Sequence, residues 1–365
     1  MSAGIAVAQE HPLQVYWDRQ LAGLEADALR VALQLQLPEQ LARCRGMAEL
    51  ARALAVDAGR LEKLIELLWA MGVVERVEAS VDAAGRIADA GPVYRLAPAL
   101  APYLSLASPL YCGDALLYRH KVLRQSGAQL DALLLPDEGG SVAAQAPAVP
   151  GAAGRAWAAA ARLQIAQEQR AASIQGALSV LERLPEYPES RHLLDLGGGP
   201  GLVAVALAQR LPMLEGVVFE YPEVAAVAQE NIDAAGLASR LRAQGGDIAR
   251  DEVGQGYDLI WCSSVLHFVP DVPALLARLF RALKPGGVLV CCHAQVDGDS
   301  AVLPDHRVLA YYLNMRMMGR HVLPAREMAG QLRQAGFASV ELAGDICFPV
   351  APVTALVARK ARRTM

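Results

Sequence analysis

Residues 192–211, HLLDLGGGPGLVAVALAQRL, constrain the fold of this chain more than any other stretch. An apolar run ends in Asp195, turns through Gly197, Gly198, Gly199 and Gly201, and enters a helix. A backbone that turns this sharply, and that a ligand is to approach closely, needs positions without a β-carbon. The helix that follows offers unpaired N–H groups and the positive end of its dipole to a carboxylate or phosphate. Nicotinamide and flavin proteins use similar turns, so the turn alone predicts a ligand-binding α/β unit and does not choose the ligand.

The same rhythm continues to the C-terminus. Apolar strands are expected near 192–196, 216–220, 241–244, 257–262, 287–293, 338–345 and 352–358, with helices near 201–211, 223–234, 272–283 and 325–335. Strands alternating with helices imply βαβ units and a parallel sheet. Seven strands, the last two forming a hairpin, suit an α/β fold with a doubly wound sheet covered on both faces.

Residues 12–100 read differently, as short helices followed by a small β element. Leu61, Leu64, Ile65, Leu68 and Trp69 follow the spacing of an amphipathic helix, which Asp57 is placed to cap and Gly72 to end. VVERVEAS, a turn at Ala83–Gly85, and VYRLAPAL then read as two strands, and the whole resembles a winged helix. Such modules often bind DNA, but this one sets Arg60 and Lys63 against Asp57, Glu62 and Glu66, poor chemistry for a phosphate-lined groove. A dimerisation or substrate-covering role is favoured. The Ala-, Pro- and Gly-rich residues 127–155 read as a loop or linker, and helix resumes from Arg155 to about Leu184. The expected boundaries are 1–105, 106–185 and 186–365.

Composition sets the outer limits. The 365 residues are 54% hydrophobic and 20% charged, with a net charge of −4. That excludes a disordered chain and argues against a general nucleic-acid binder. Six cysteines with no repeated spacing do not form a disulfide framework. The N-terminal residues lack a signal-peptide pattern and no long uninterrupted apolar run appears, so a soluble, cytoplasmic chain with no membrane span is expected.

Two acidic residues follow the glycine turn at informative places. Glu220 ends the next strand, where a carboxylate can accept both hydroxyls of a ribose. Asp247, in QGGDIARD after the third strand, lies in a loop suited to an exocyclic amine, or caps a turn. LLDLGGGPG, FEYP, GGDI, VLHFVPD and LKPGGVLV together resemble the motifs of S-adenosylmethionine-dependent methyltransferases. With a winged N-terminal region, the chain is similar to the small-molecule O-methyltransferases typified by caffeate, phenazine and polyketide enzymes. The resemblance implies a Rossmann-like cofactor domain, an intertwined homodimer through the N-terminal domain, and S-adenosyl-L-homocysteine as cofactor product. The implied cofactor-binding set is Asp195, Gly197, Gly198, Gly199, Gly201, Glu220, Tyr221, Asp247, Ile248 and Ser263.

Transfer to a hydroxyl is helped by near-attack geometry and by a base with a pKa near neutrality. His267, in SSVLHFVPD just past the fourth strand, matches the family's general base. The Asp that commonly follows that histidine is Phe268 here, and the positions of the two flanking acids fall on His293 and Val322. S-, N- or C-methylation therefore stays open as an alternative, as does a family member that keeps the cofactor while catalysing decarboxylation or hydroxylation. A winged-helix DNA-binding regulator is the rival from another class. Cys291, Cys292 and His293, with Cys262 and His267, raise the question of a metal, but adjacent strand residues point to opposite faces, and none is expected. Tyr111, Arg119, His120, His293, Asn314 and Met318 are the candidate acceptor-lining residues. The expected reaction moves a methyl group to the hydroxyl of a small aromatic metabolite, with no nucleic acid or membrane as partner.

Overall fold

The structure, a computed structural model, describes residues 11–43, 45–77, 92–135, 152–296, 304–320 and 322–362. The chain divides into two compact units, Met1–Lys121 and Val122–Met365.

In the first unit the helices Gln14–Gln34, Leu37–Gln40, Met47–Leu54 and Ala58–Ala70 precede a three-stranded antiparallel sheet. Its strands, β1 (Arg45–Gly46), β2 (Val74–Val77) and β3 (Val93–Leu96), lie in the order β1-β3-β2. The helix-and-wing pattern expected for residues 12–100 is present, and the expected turn at Ala83–Gly85 lies outside the described residues. Leu61, Ile65 and Leu68 bury one face of the fourth helix against Leu37, Leu41, Leu50, Tyr94 and Leu96. Asp57 Oδ1 accepts the Arg60 N–H at 2.9 Å and so caps that helix, and Gly72 leaves it with φ of +73°. The two-residue strand β1 was not legible in the sequence, being too short to carry a pattern.

The second unit is built on seven strands: β4 (His192–Leu196), β5 (Glu215–Glu220), β6 (Leu241–Gly245), β7 (Tyr257–Ser263), β8 (Leu283–His293), β9 (Ser339–Ile346) and β10 (Val353–Arg359). They order as β6-β5-β4-β7-β8-β10-β9; the first five run parallel, and β10 is antiparallel to both neighbours. Side chains alternate as the pleat requires. Leu193, Val218, Leu259 and Val290 pack on one face, while Leu194, Phe219, Ile260 and Leu289 pack on the other. Helices 174–181 and 202–210 cover the first face; helices 272–282 and 325–334 cover the second. The sheet is therefore buried on both sides, which is why its central strands read as continuous apolar runs. Cys291 and Cys292 fall in opposite cores, as their adjacency on a strand requires.

Two features depart from expectation. Strand β8 begins at Leu283, four residues early, because Gly286 takes φ of +81° and the irregular ladder lets Leu283 pair with Tyr257. Residues 152–181 form one continuous helical run, but its middle widens into π-helix at Ala161–Ile165 and again at Gln169–Ser173. No helix among the described residues is long and apolar enough to cross a membrane.

Candidate active site

Strands β4 and β7 are neighbours whose chain connections leave in opposite directions, so a crevice opens between their carboxyl ends. The glycine turn leaves β4 there, and the loop 264–268 leaves β7 beside it. The two loops touch: a β-carbon on Gly197 would come within 2.3 Å of Val265 Cγ2. Gly197, Gly199 and Gly201 all have positive φ, at +66°, +58° and +74°, a region that other residues enter at a cost. Gly198 instead lies against Asp195, whose Oδ2 would be 2.5 Å from an added β-carbon.

Most N–H groups of the turn are already engaged within the chain. Gly197 donates to Phe219 O at 2.9 Å and Gly201 to Gly198 O at 3.0 Å. Gly199 donates to Glu220 Oε1 at 3.3 Å, and Leu202 donates to Gln169 Oε1 at 3.1 Å. The expectation of a helix N-terminus free to meet an anion is thus corrected in part, since the first helical N–H is taken by a glutamine side chain.

Asp195 is buried, and one of its oxygens, Oδ2, has no hydrogen-bond partner. Burial, and secondly the charge of Glu220, push its carboxyl up to about 7, against a lowering hydrogen bond from the Ala204 N–H. Glu220 is half-buried; Oε2 accepts the Tyr221 N–H at 2.9 Å, and burial raises its pKa against the hydrogen bonds from Tyr221 and Gly199. Asp247 caps its own loop, with Oδ1 accepting the Ala249 N–H at 2.9 Å. Burial, and then the charges of Asp247 and Glu220, raise the Tyr221 phenol. Ile248 packs into the second core. Ser263 Oγ is buried with no partner, as is Ser264 Oγ.

His267 sits in the short turn Leu266–Phe268, buried at 6% exposure. Its ring centroid is 4.1 Å from that of Phe268, 5.4 Å from Tyr312 and 6.4 Å from His293. Burial first, and then the positive charge of Arg320, lower its pKa to about 4. Burial and the neighbouring His267 lower His293 to about 3, and His293 Nε2 lies 4.0 Å from Cys262 Sγ. The histidine that replaces one expected acid does therefore stand beside His267, while Val322 packs against the first core.

The other candidates are dispersed. Asn314 Nδ2 donates to Ser126 O at 3.0 Å and to Gln129 Oε1 at 3.3 Å, so it ties two segments of the second unit together. Met318 closes the helix Leu313–Met317. Tyr111, Arg119 and His120 belong to the first unit, where His120 Nε2 lies 3.2 Å from Asp27 and Tyr111 lies over Gly113.

Sequence reasoning missed several residues that shape the site. Gln169 Nε2 donates to Gly198 O at 3.0 Å while its Oε1 receives the Leu202 N–H, so one amide spans the glycine turn. Asn231 Nδ2 donates to Pro200 O at 2.9 Å from the other side. Arg278 holds the loop after β6 through Ile248 O and Asp251 O. Trp157 meets Phe268 edge-on at 5.3 Å. No sequence pattern nominates any of them: Gln164, Gln167, Glu168 and Gln169 read as the solvated face of a helix, yet all four are buried.

Residues 157–338 match the model of a family described as O-methyltransferase domain. Demethylspheroidene O-methyltransferase of Cereibacter sphaeroides is 32% identical over 162 residues, 44% of this chain and 42% of that protein. Aclacinomycin 10-hydroxylase of Streptomyces purpurascens is 36% identical over 159 residues, 42% of this chain and 41% of that protein. These matches span less than half the length of the curated relatives. Among solved structures, human N-acetylserotonin methyltransferase in complex with SAM superposes with a TM-score of 0.75 at 22% identity, covering 98% of this chain and 100% of that one, a likeness of fold. Through residues 157–338 the chain belongs to the O-methyltransferase domain family.

Proposed function

We propose that the chain is an S-adenosylmethionine-dependent methyltransferase that moves a methyl group to a hydroxyl of a small aromatic molecule. The observation that carries this reading is the junction of the glycine turn with the His267 loop, where Val265 rests on Gly197. It sets the glycine turn and a neutral imidazole at one crevice, which supports the reading. The residues present fit the cofactor: Gly197 to Gly201 leave a cradle, Asp195 Oδ2 and Ser263 Oγ are buried without partners, and Glu220 ends β5 next to the turn, its Oε1 accepting the Gly199 N–H. When bound, S-adenosylmethionine supplies an electrophilic methyl on a sulfonium sulfur. In this reading Glu220 holds the ribose hydroxyls, Asp247 and Ile248 flank the adenine, and Asp195 with the glycine turn meets the methionine end. Tyr312, Phe268 and Trp157 exclude water around the acceptor, and His267 faces its hydroxyl.

The N-terminal unit serves a homodimer in this proposal. Trp17, Leu21 and Leu24 follow one stripe of the helix Gln14–Gln34 and are 42%, 54% and 63% exposed, apolar surface that a partner copy would cover. Lys63 is tied to Glu66 at 3.1 Å, which leaves the fourth helix little charge for phosphates. Among the described residues, Cys262, Cys291, Cys292 and Cys347 are free thiols, which suits a reducing cytoplasm.

Glu220→Ala tests the cofactor assignment. Losing a charge-assisted pair of hydrogen bonds should weaken S-adenosylhomocysteine binding by about 1–3 kcal/mol in a calorimetric titration. An unchanged dissociation constant removes Glu220 from the site.

A further inference from the structure

The loop after β6 is one tight turn tied to the strand that carries Glu220. The Gly246 N–H donates to Glu220 O at 2.8 Å. The Arg250 and Asp251 N–H groups both donate to Asp247 O, at 3.0 and 2.8 Å. Asp251 returns the bond, its Oδ2 accepting the Asp247 N–H at 2.8 Å, while Asp247 Oδ1 accepts the Ala249 N–H at 2.9 Å. The entry to the turn has no room to spread, because a β-carbon on Gly246 would lie 2.4 Å from Phe219 Cζ. A single turn satisfies its N–H groups in this way, but no further turn follows to take its last carbonyls.

Those carbonyls are taken by Arg278, which projects from the helix Val272–Ala282. Its Nη1 donates to Asp251 O at 2.8 Å and its Nη2 donates to Ile248 O. Two carbonyls three residues apart suit the planar fork of a guanidinium, whereas an ammonium is a point donor. Arg278 is half-buried, and the Ile248 side chain packs on the core that holds Val265, Leu266, Val272, Leu275 and Leu279. The turn is therefore gripped twice from the same side, through its backbone and through its apolar side chain. Asp247 has one oxygen committed to Ala249; its Oδ2 has the exposed Arg250 guanidinium at 3.6 Å. A carboxylate so short and so tethered takes its aim from the backbone of the turn.

We propose that Arg278 is a positioning residue for the purine base of the cofactor. By holding the Ile248 and Asp251 carbonyls it fixes the aim of the Asp247 carboxylate, and so sets the preference for a 6-amino over a 6-oxo purine. This inference rests on the methyl-transfer reading above and on its placing of Asp247 beside the adenine. An exocyclic amine donates to the carboxylate, and the strength of that bond depends on distance and angle. A 6-oxo group turns an acceptor towards the same oxygen, and the repulsion rejects the wrong base as long as the carboxylate cannot retreat. A turn released from Arg278 loses the bond to the right base and yields to the wrong one. Arg278 touches no ligand in this arrangement; it acts through the turn.

The probes are S-adenosylhomocysteine and S-inosylhomocysteine, titrated calorimetrically into the full-length protein, the weaker ligand being read by competition. The parent should prefer the adenine compound by about a hundredfold or more. Arg278→Gln should weaken S-adenosylhomocysteine about tenfold and S-inosylhomocysteine by less than about threefold, so that the preference shrinks. Arg278→Lys, which can hold one carbonyl, should give an intermediate preference, and it carries the same comparison if Arg278→Gln does not fold. Asn231→Ala releases Pro200 O on the glycine turn instead, and should weaken both nucleosides by the same factor. Equal losses for the two nucleosides in an Arg278 variant, or a variant that keeps the parent's preference, overturns the proposal. A parent that binds both nucleosides alike also overturns it, since Asp247 then does not read the base, and the transfer reading stands. If S-adenosylhomocysteine does not bind the parent, both fall.

Discussion

Gly197 and Val265 meet where the loops after β4 and β7 cross: an added β-carbon at Gly197 would lie 2.3 Å from Val265 Cγ2, and 3.3 Å from Cγ1. The contact fixes the distance between the turn assigned to the cofactor and the segment that carries His267 two residues later. Each loop is thereby part of the other's support, and neither can be altered alone without cost.

Gly197→Ala should therefore lower stability by about 2 kcal/mol or more, combining the cost of its φ of +66° with the clash on Val265. Val265→Ala in the same chain removes the branched side chain and should recover part of the loss. Thermal melts of the two single variants and the double variant give the coupling, expected at about 0.5–3 kcal/mol. Strict additivity would mean that the loops do not support one another.

Asp195 supplies a pH test whose sign can be worked out in advance. Its carboxyl ionises near 3.8 in the unfolded chain and at about 7 when folded, because it is buried and faces Glu220. A raised carboxyl favours the folded state below the lower value, and that advantage is lost as pH rises through the upper one. Asp195→Asn should then stabilise the ligand-free protein at pH 8 by roughly 2–4 kcal/mol in urea melts and change little at pH 4. It should also weaken S-adenosylhomocysteine binding. An unchanged stability at pH 8 would show that the carboxylate is solvated.

The two histidines act in the opposite sense. His267 and His293 titrate at about 4 and about 3 when folded, below the ordinary value of 6.5, because burial disfavours their charged forms. Their contribution is fully present above pH 6.5 and is lost as pH falls towards 4 and then 3. Acid unfolding should begin in that window, with roughly 3 kcal/mol at stake for His267 and roughly 5 kcal/mol for His293, the two titrating as a pair. His267→Gln should flatten the stability profile between pH 6.5 and 4. A profile identical to the parent's would show that the ring is not buried as a neutral imidazole.

Gln169 is the residue that the sequence could least have nominated. The strands were legible because a sheet covered on both faces forces apolar runs at Leu193–Leu196 and Leu259–Cys262, and because Gly197 to Gly201 admit few backbone alternatives. The places of Glu220 and Asp247 after successive strands were legible for the same reason. The polar run at 164–169, by contrast, looks like the solvated face of a helix. It becomes an inward-facing brace because the π-helical segments at Ala161–Ile165 and Gln169–Ser173 alter the helical period, which propensity does not report. The ring cluster of Trp157, Phe268, His267 and Tyr312 was equally hidden, since its members come from segments as far as 155 residues apart in sequence.

Gln169→Met keeps the volume and removes both hydrogen bonds to the turn. It should leave Gly198 O and the Leu202 N–H unpaired at a cost of about 1–3 kcal/mol, read in urea melts. S-adenosylhomocysteine affinity should fall with it. Gln169→Glu, which still accepts from Leu202, should lose less affinity than Gln169→Met at neutral pH only if the Gly198 contact is the weaker of the two. Equal affinity in the parent and Gln169→Met would show that the turn holds its shape unaided.

The most direct test of the central claim is a calorimetric titration of the purified full-length chain, stripped of co-purified ligand, with S-adenosylmethionine, S-adenosylhomocysteine and NAD. The account predicts saturable binding of both sulfur nucleosides, weakened by Glu220→Ala, and no heat from NAD. Binding of NAD with silence from both sulfur nucleosides would contradict it and assign the glycine turn to a nicotinamide cofactor.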